Sequence, residues 1–395
     1  MSAPTKSSLT TAKSNDRRRA FSALRHRDFR LLWMGQIVSV TGSQMQLVAI
    51  NWHVYLLTRS PFALGMVGLF RGAPIILCSL IGGVVADAMD RKRLMVVTQS
   101  VMIASATALT FVTLAGSKSV WPIYVLTGIA SGATAFDIPA RQALMPTLVP
   151  TKDFPNAVSL GLIVFNVAMI AGPAVAGFLL ASHGPAVVYG INAISFVAVI
   201  AALVSMHTSG RLSDKSEQIN RVSYAALKEG LAFVWQTPII VQTMTLDFVA
   251  TFFASATALL PIFAEEILHV GARGLGLLAA APAVGSVVTA LIIARAGGFK
   301  KQGKILIGSI AVFGLATAGF GISRAFWFSL AMLAITGAAD TVSTVLRQTI
   351  RQLATPNQLR GRMTSINMVF FMGGPQLGEV EAGFVAALIG APLSV

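Results

Sequence analysis

Asp247 stands in the stretch "TMTLDFVATFF", a single carboxylate about eight residues into an apolar run long enough to cross a bilayer. A charge at the centre of a membrane helix costs about 2.5–3.5 kcal/mol on insertion scales, so each one marks a site by default. Thr243, Asp247, Ala250, Ala254, Thr257 and Pro261 share one face at the 3.6-residue period. A small, polar face with one acid suits a cavity wall, and the acid suits a coupling proton or the cationic group of a small-molecule substrate. The structural alternative is a carboxylate hydrogen-bonded between helices.

Other apolar runs carry polar groups of the same kind. Gln36, Ser39, Ser43, Gln46 and His53 fall within about 100° of one helix face. They suit either a cavity or hydrogen bonds that join helices within the membrane. Arg71, Glu379 and Glu381 lie inside runs of their own, and the two glutamates point about 200° apart on a helix. Asp137 and Asp340 close two further runs, next to Arg141 and Arg347. The i to i+4 spacing lets Asp137 and Arg141 interact locally, which is worth a few tenths of a kcal/mol on an exposed face. Glu265 and Glu266, at the far end of the run that holds Asp247, are expected to be solvated.

The densest charge cluster is "GGVVADAMDRKRL", from Gly82 to Leu94, which holds Asp87, Asp90, Arg91, Lys92 and Arg93 between two apolar runs. Contacts between this 87–93 connection and the Asp137–Arg141 and Asp340–Arg347 pairs would make a gate.

These side chains need a membrane scaffold to position them. Of 395 residues, 55% are apolar and 11% charged, against roughly 25% charged in soluble domains, so bilayer is the natural solvent. The net charge of +15 does not point to nucleic acid, because the bases are spread between apolar runs rather than clustered on one surface. Cys78 is the only cysteine, which excludes an intramolecular disulfide framework. The first 29 residues are basic and lack the apolar core of a cleavable signal peptide. Within them, "DRRRAFSALRHRDFR" interleaves Phe21, Leu24 and Phe29 with arginines, as an interfacial helix does.

Eleven spans are predicted, over 31–57, 62–86, 94–116, 120–137, 156–181, 185–206, 239–264, 274–295, 305–323, 325–345 and 364–390. Alternate connections hold 25 of the bases on one side and only Arg59, Lys118, Arg273 and Arg324 on the other, with Arg71 inside a span. The side rich in Lys and Arg is cytoplasmic by the positive-inside rule, which places the N-terminus and the 87–93 connection there. An inner-membrane, multi-pass protein is expected. An odd number of spans ends the sequence on the exterior side, so a twelfth helix is expected in the fold and missing from this chain.

The sequence repeats internally. A shift of 206 residues aligns Arg141–Gly184 with Arg347–Gly390, matching Arg141 with Arg347, Gln142 with Gln348, Pro150 with Pro356 and Gly184 with Gly390. A shift of 211 pairs "ALGMV" (Ala63–Val67) with "GLGLL" (Gly274–Leu278). Two parallel copies of six helices describe one transporter architecture, with substrate bound between the halves near the midplane. The expected organisation is a basic segment over 1–30, a six-helix bundle over 31–206, a central loop with an interfacial helix over 207–238, and a second bundle over 239–395.

With these motifs together, the chain resembles the major facilitator superfamily from about Phe21 onward. "GGVVADAMDRKR" is similar to that superfamily's signature between its second and third helices. Gly83, Asp87, Arg91 and Lys92 fill signature positions, while Ala88 stands where a base is usual and Asp90 where a glycine is usual. "DIPARQALMPTLVP" and "ATPNQLRGRM" resemble the drug- and siderophore-exporting branch. The resemblance implies an all-α polytopic membrane protein with the major facilitator fold, two six-helix bundles related by a pseudo-twofold axis along the membrane normal. It implies a cavity lined by the first helix and a latch formed by the charged connection on the cytoplasmic side. It also implies that spans 2 and 11 pack across the two halves, so that Arg71 pairs with either Glu379 or Glu381 in the outer half.

The expected activity is secondary active transport by alternating access, with proton-coupled efflux of small lipophilic, amphipathic or siderophore-like compounds. An importer and a non-transporting scaffold or sensor are the alternatives. No GxxxxGK[ST] loop is present for direct ATP drive, and the scattered polar residues lack the convergent set of a membrane enzyme. A monomer with no cofactor and no metal site is expected.

Overall fold

In hydrocarbon every backbone N–H and C=O must bond internally, so apolar runs of this length fold as helices. The computed structural model describes residues 21–208, 231–253, 256–296, 301–356 and 359–395, and the side chains of all of these except 79–84, 86–88, 256, 360–362, 364–366 and 368–372. The first half holds α1 (Arg27–Thr58), α2 (Pro61–Ala88), α3 (Arg91–Leu114), α4 (Trp121–Leu148), α5 (Phe154–His183) and α6 (Pro185–Ser205). The second holds α7 (Pro238–Phe253), α8 (Gly271–Ala296), α9 (Gln302–Gly321), α10 (Phe326–Ala354) and α11 (Arg360–Ile389). Among the described residues, nine helical segments are long and apolar enough to cross a membrane. At 32 residues α1 is long enough as well, but Gln36, Ser39, Gln46 and His53 dilute its apolar run.

Local sequence sets the boundaries. The Ser60 side chain accepts from the Ala63 amide at 3.4 Å, and Pro61, which has no N–H to satisfy, opens α2. Asp90 accepts from the Arg93 amide at 3.0 Å and caps α3. The connection between α2 and α3 is therefore Met89 and Asp90 alone. The expected 87–93 loop is corrected on both sides: Gly83 and Asp87 belong to the last turns of α2, and Arg91 to Arg93 open α3. An acid at position 90 suits this role better than glycine, since it satisfies an amide of the first turn.

The second correction concerns α4 and α10. Hydropathy ends them at 137 and 345, yet the helices run on to Leu148 and Ala354. Arg, Gln, Leu and Met past those points are good helix formers, and the polar ones find partners. Arg141, Arg347 and Arg351, counted above with the connections, thus lie on helices; Arg347 is 1% and Arg351 4% exposed. Past residues 254–255, α7 is irregular. A 3-10 turn (Ala256–Leu259) leads through Leu260–Ile262 into a π-helical turn (Phe263–Ile267).

Packing repeats between the halves. In the first, α2 lies on α4, α4 on α3, α3 on α6, α6 on α1 and α1 on α5. In the second, α8 lies on α10, α10 on α9 and α7 on α11. Gly184 and Gly390, related by the 206-residue shift, end α5 and α11 with φ of +74° and +89°. This left-handed region is open to glycine at little steric cost. The counterparts of α3 and α1, namely α9 and α7, have no sixth helix beside them among the described residues. The sequence closes with a short turn at Ala391–Ser394.

Two faces follow from the connections. The base-poor face holds those at 59–60, 115–120, 184, 268–270, 322–325 and 390; the base-rich face holds the others. The halves meet where α2 packs on α11 and α5 on α8. Both crossings are glycine contacts near the base-poor face. A Cβ added at Gly383 would fall 2.6 Å from the Gly65 Cα, and one added at Gly177 would fall 2.8 Å from the Gly276 Cα. Close backbone approach through small residues is how helices associate where lipid is as apolar as their side chains.

Candidate functional site

Asp247 does not stand free on a cavity wall. It is 5% exposed and lies between two α10 arginines, with Arg347 Nη2 at 2.8 Å and Arg351 Nη1 at 3.6 Å. Arg347 also meets Asp340 at 3.4 Å and donates to Thr344 at 3.0 Å. Thr243, one turn before Asp247, is buried and donates to the Ile240 carbonyl at 2.9 Å, whereas Thr257 is exposed. Asp247, which the sequence assigned to a cavity, and Arg347, which it assigned to a gate, thus form one buried ionic lock between α7 and α10, with Asp340 at its half-exposed edge. The two guanidiniums offset part of the cost of burying a carboxylate this deep.

The first half has a counterpart. Arg141 of α4 donates to the Gln36 side chain of α1. The 206-residue shift carries Arg141 onto Arg347, and the 211-residue shift carries Gln36 onto Asp247. One arginine lock therefore joins the first and fourth helix of each half, with a neutral acceptor in one and an anion in the other. Asp137 does not bind Arg141. It accepts at Oδ1 from Thr98 Oγ1 at 3.1 Å and from Gln99 Nε2 at 2.9 Å, both on α3. The i to i+4 pairing is lost because Arg141 reaches across to Gln36 instead.

The α1 stripe makes hydrogen bonds within the first half, the second of the two roles its residues suit. Gln36, Ser39, Gln46 and His53 are all buried within the first half. Asn192 of α6 donates to Gln46 at 2.7 Å, His53 Nδ1 lies 3.2 Å from the Tyr189 hydroxyl, and Ser43 donates to the Ser39 carbonyl at 2.9 Å. Periodicity found the face correctly; the neighbour it meets is α6, and the polar groups hold the bundle together.

Near the base-poor face, Arg71 of α2 meets Glu379 of α11 at 2.9 Å. Glu381 is half-buried on the other side of α11. The two glutamates of the π-helical turn are reached by water, Glu266 being exposed, and both also have partners. Tyr55 of α1 donates to Glu266 at 2.5 Å, Arg59 lies 4.0 Å from Glu265, and Arg59 also donates to the Tyr55 hydroxyl at 3.1 Å. The π-helical turn at Phe263–Ile267 carries both acids to this contact. These groups were missed in the sequence, although an aromatic hydroxyl and a base four residues apart at the end of α1 were a signal. Every ion pair between the halves among the described residues lies on the base-poor side.

On the base-rich face, Lys92 donates to the Met206 carbonyl at 2.8 Å, and Arg91 Nε is buried without a hydrogen-bond partner. The side chains of Gly83 and Asp87 lie outside the described residues, as do residues 1–20 and 209–230, which hold most of the basic segment and the central loop. The start of that loop is anchored to α1. Asp28 accepts from the Thr208 amide at 2.8 Å and from its hydroxyl at 2.5 Å, and Arg27 donates to His207.

With two repeated bundles and their contacts defined, likeness to known proteins decides the class. The model of the family described as transmembrane secretion effector matches residues 18–395. The chain belongs to this family of major facilitator transporters. It is similar to the enterobactin exporter EntS of Salmonella choleraesuis, 25% identical over 365 residues, which cover 92% of this chain and 87% of that one. The enterobactin exporter EntS of Citrobacter koseri is 24% identical over the same length, covering 92% and 86%. Among solved structures, a bacterial homolog of the human lysosomal transporter Spinster, inward-facing and unoccupied, gives a TM-score of 0.71 at 14% identity, covering 91% of this chain and 83% of that one. The nucleoside transporter NupG gives 0.68 at 15% identity, covering 91% of each. This secretion-effector chain is a multi-pass membrane transporter of the major facilitator superfamily, and its relatives are transporters rather than enzymes.

Proposed function

We propose that the chain is a secondary active exporter that works by alternating access and exchanges protons for small lipophilic, amphipathic or siderophore-like compounds. The carrying observation is the asymmetry of the contacts between halves. Arg71–Glu379, Tyr55–Glu266 and the Gly65–Gly383 crossing all lie near the base-poor face. Two rigid bundles joined at one face open at the other by rocking about that joint.

The positive-inside rule makes the base-rich face cytoplasmic, with the N-terminus inside an inner membrane. In this orientation the conformer is closed to the exterior. Gly83, Asp87, Arg91 and Lys92 then act with Asp137, Arg141, Asp340 and Arg347 as the cytoplasmic gate of the opposite conformer. The enterobactin exporters support the outward direction and the substrate class. The working unit is a monomer, since the path runs between the halves of one chain.

The test is transport by the purified chain in proteoliposomes that hold a lipophilic fluorescent dye under an imposed proton gradient. Dye should move against the proton flow. Movement that ignores the gradient contradicts proton exchange, and no movement of this or any siderophore-like probe contradicts transport of this class.

A further inference from the structure

Four carboxylates at membrane depth have partners. Asp137 accepts two hydrogen bonds from α3, Asp247 and Asp340 meet Arg347, and Glu379 meets Arg71. The described acids near the membrane faces are bound as well: Asp28 to Thr208, Asp90 to the Arg93 amide, Asp153 to His26, Glu265 to Arg59 and Glu266 to Tyr55. Glu381 alone, among the described carboxylates, has neither a hydrogen bond nor an ion pair.

Its surroundings offer no cation among the described residues. Glu381 follows Gly374 by seven residues on one face of α11, and Gly374 packs on Phe248 and Thr251 of α7. The Glu381 side of the helix is thus turned away from α2 and its Arg71, which Glu379 holds at 2.9 Å. The charged group on α7 is Asp247, nearer the base-rich face and held by Arg347 and Arg351. The 3-10 turn at Ala256–Leu259 and the final turn at Ala391–Ser394, which also pack on α11, carry no titratable side chain.

An ionised carboxylate at membrane depth with no partner is expensive, and binding a proton removes that cost. We infer that Glu381 is a proton-binding site, the carboxyl through which protons act on this transporter, while Asp247 and Glu379 stay with their arginines. The step forms one O–H bond at the carboxylate and breaks it when the proton returns to water. The other faces of α11 carry Glu379 and Gly383 against α2. Loading Glu381 therefore acts on the helix that joins the halves. The assignment rests on the proton-exchange reading only for its role in transport; proton binding itself is a separate claim.

Dicyclohexylcarbodiimide separates the two. It adds to protonated carboxyl groups in apolar surroundings and rearranges to a stable N-acylurea, with no leaving group. In the full chain in liposomes, peptide mapping should find the adduct on Glu381, increasing as pH falls. It should vanish in Glu381→Gln, persist in Glu379→Gln, and survive in Glu381→Asp, which controls for folding. Absence of the adduct from Glu381 in the wild type, at every pH, overturns the site. In dye-loaded proteoliposomes Glu381→Gln should lose at least tenfold of gradient-driven transport while keeping downhill exchange, and full gradient-driven transport by this variant overturns the coupling role. An adduct on Glu381 in a wild type that ignores the gradient retains the proton site and overturns the exchange reading instead.

Discussion

Arg347 donates to Asp247 across the α7–α10 contact at 2.8 Å, and the internal repeat superposes this pair on Arg141 and Gln36. The two halves therefore use one mechanical device with different electrostatics. Removing Asp247 strands the buried Arg351 guanidinium and leaves Arg347 with the half-exposed Asp340. Asp247→Ala should destabilise the chain by about 3–5 kcal/mol, the usual cost of breaking a buried ion pair from one side, read as thermal unfolding in detergent. Unchanged stability would show that Asp340 is enough to hold the arginines without Asp247.

The neutral lock in the first half predicts a gain. Gln36 Nε2 is buried without a hydrogen-bond partner, so an oxygen at that position loses no bond, and the Arg141 guanidinium gains an anion. Gln36→Glu should raise the unfolding temperature, whereas Gln36→Leu should lower it. A lower temperature for the Glu variant would mean that burying the carboxylate outweighs the pair.

Arg71 and Glu379 are well buried at their contact, with 18% and 10% of their side chains exposed. A double-mutant cycle of Arg71→Met and Glu379→Gln should give a coupling of about 0.5–3 kcal/mol, the range for residues in direct contact. Additive effects would mean that the pair contributes nothing beyond its separate side chains.

Gly383 has no room for a side chain, since its Cβ would meet the Gly65 Cα at 2.6 Å and the Pro61 carbonyl oxygen at 2.8 Å. Gly383→Val should push α2 and α11 apart near the base-poor face. Spin labels at Phe62 and Phe384, in a chain with Cys78 replaced, should report a longer distance than without the substitution. An unchanged distance would contradict the close crossing.

Much of this architecture is legible in the sequence, because bilayer physics leaves few options for apolar runs and their punctuation. Pro61, Gly184 and Gly390 mark ends that the structure keeps. The ends of α4 and α10 were not legible, since hydropathy falls after Asp137 and Val345 while the helices continue through polar residues. The α1 stripe shows the limit of periodicity. Spacing groups Gln36, Gln46 and His53 on one face, yet nothing in the spacing says that Asn192 and Tyr189 of α6 meet it. Long-range partners are hidden for the same reason: Asp247 and Arg347 are 100 residues apart, and only the repeat hinted that the arginine had a special place. The exposure of Glu265 and Glu266 follows from their place at the end of a span, but the π turn that also carries them to Tyr55 and Arg59 leaves no local signature.

The central claim is that the halves must part at the base-poor face for substrate to cross. A cross-link across that contact tests it most directly. Cysteines replacing Arg71 and Glu379, in a chain with Cys78 replaced, can be joined by a reducible bifunctional methanethiosulfonate, and dye transport followed in proteoliposomes. Transport should stop when the link forms and return when it is reduced, relative to the uncross-linked double variant. Full transport with the link intact would contradict the account.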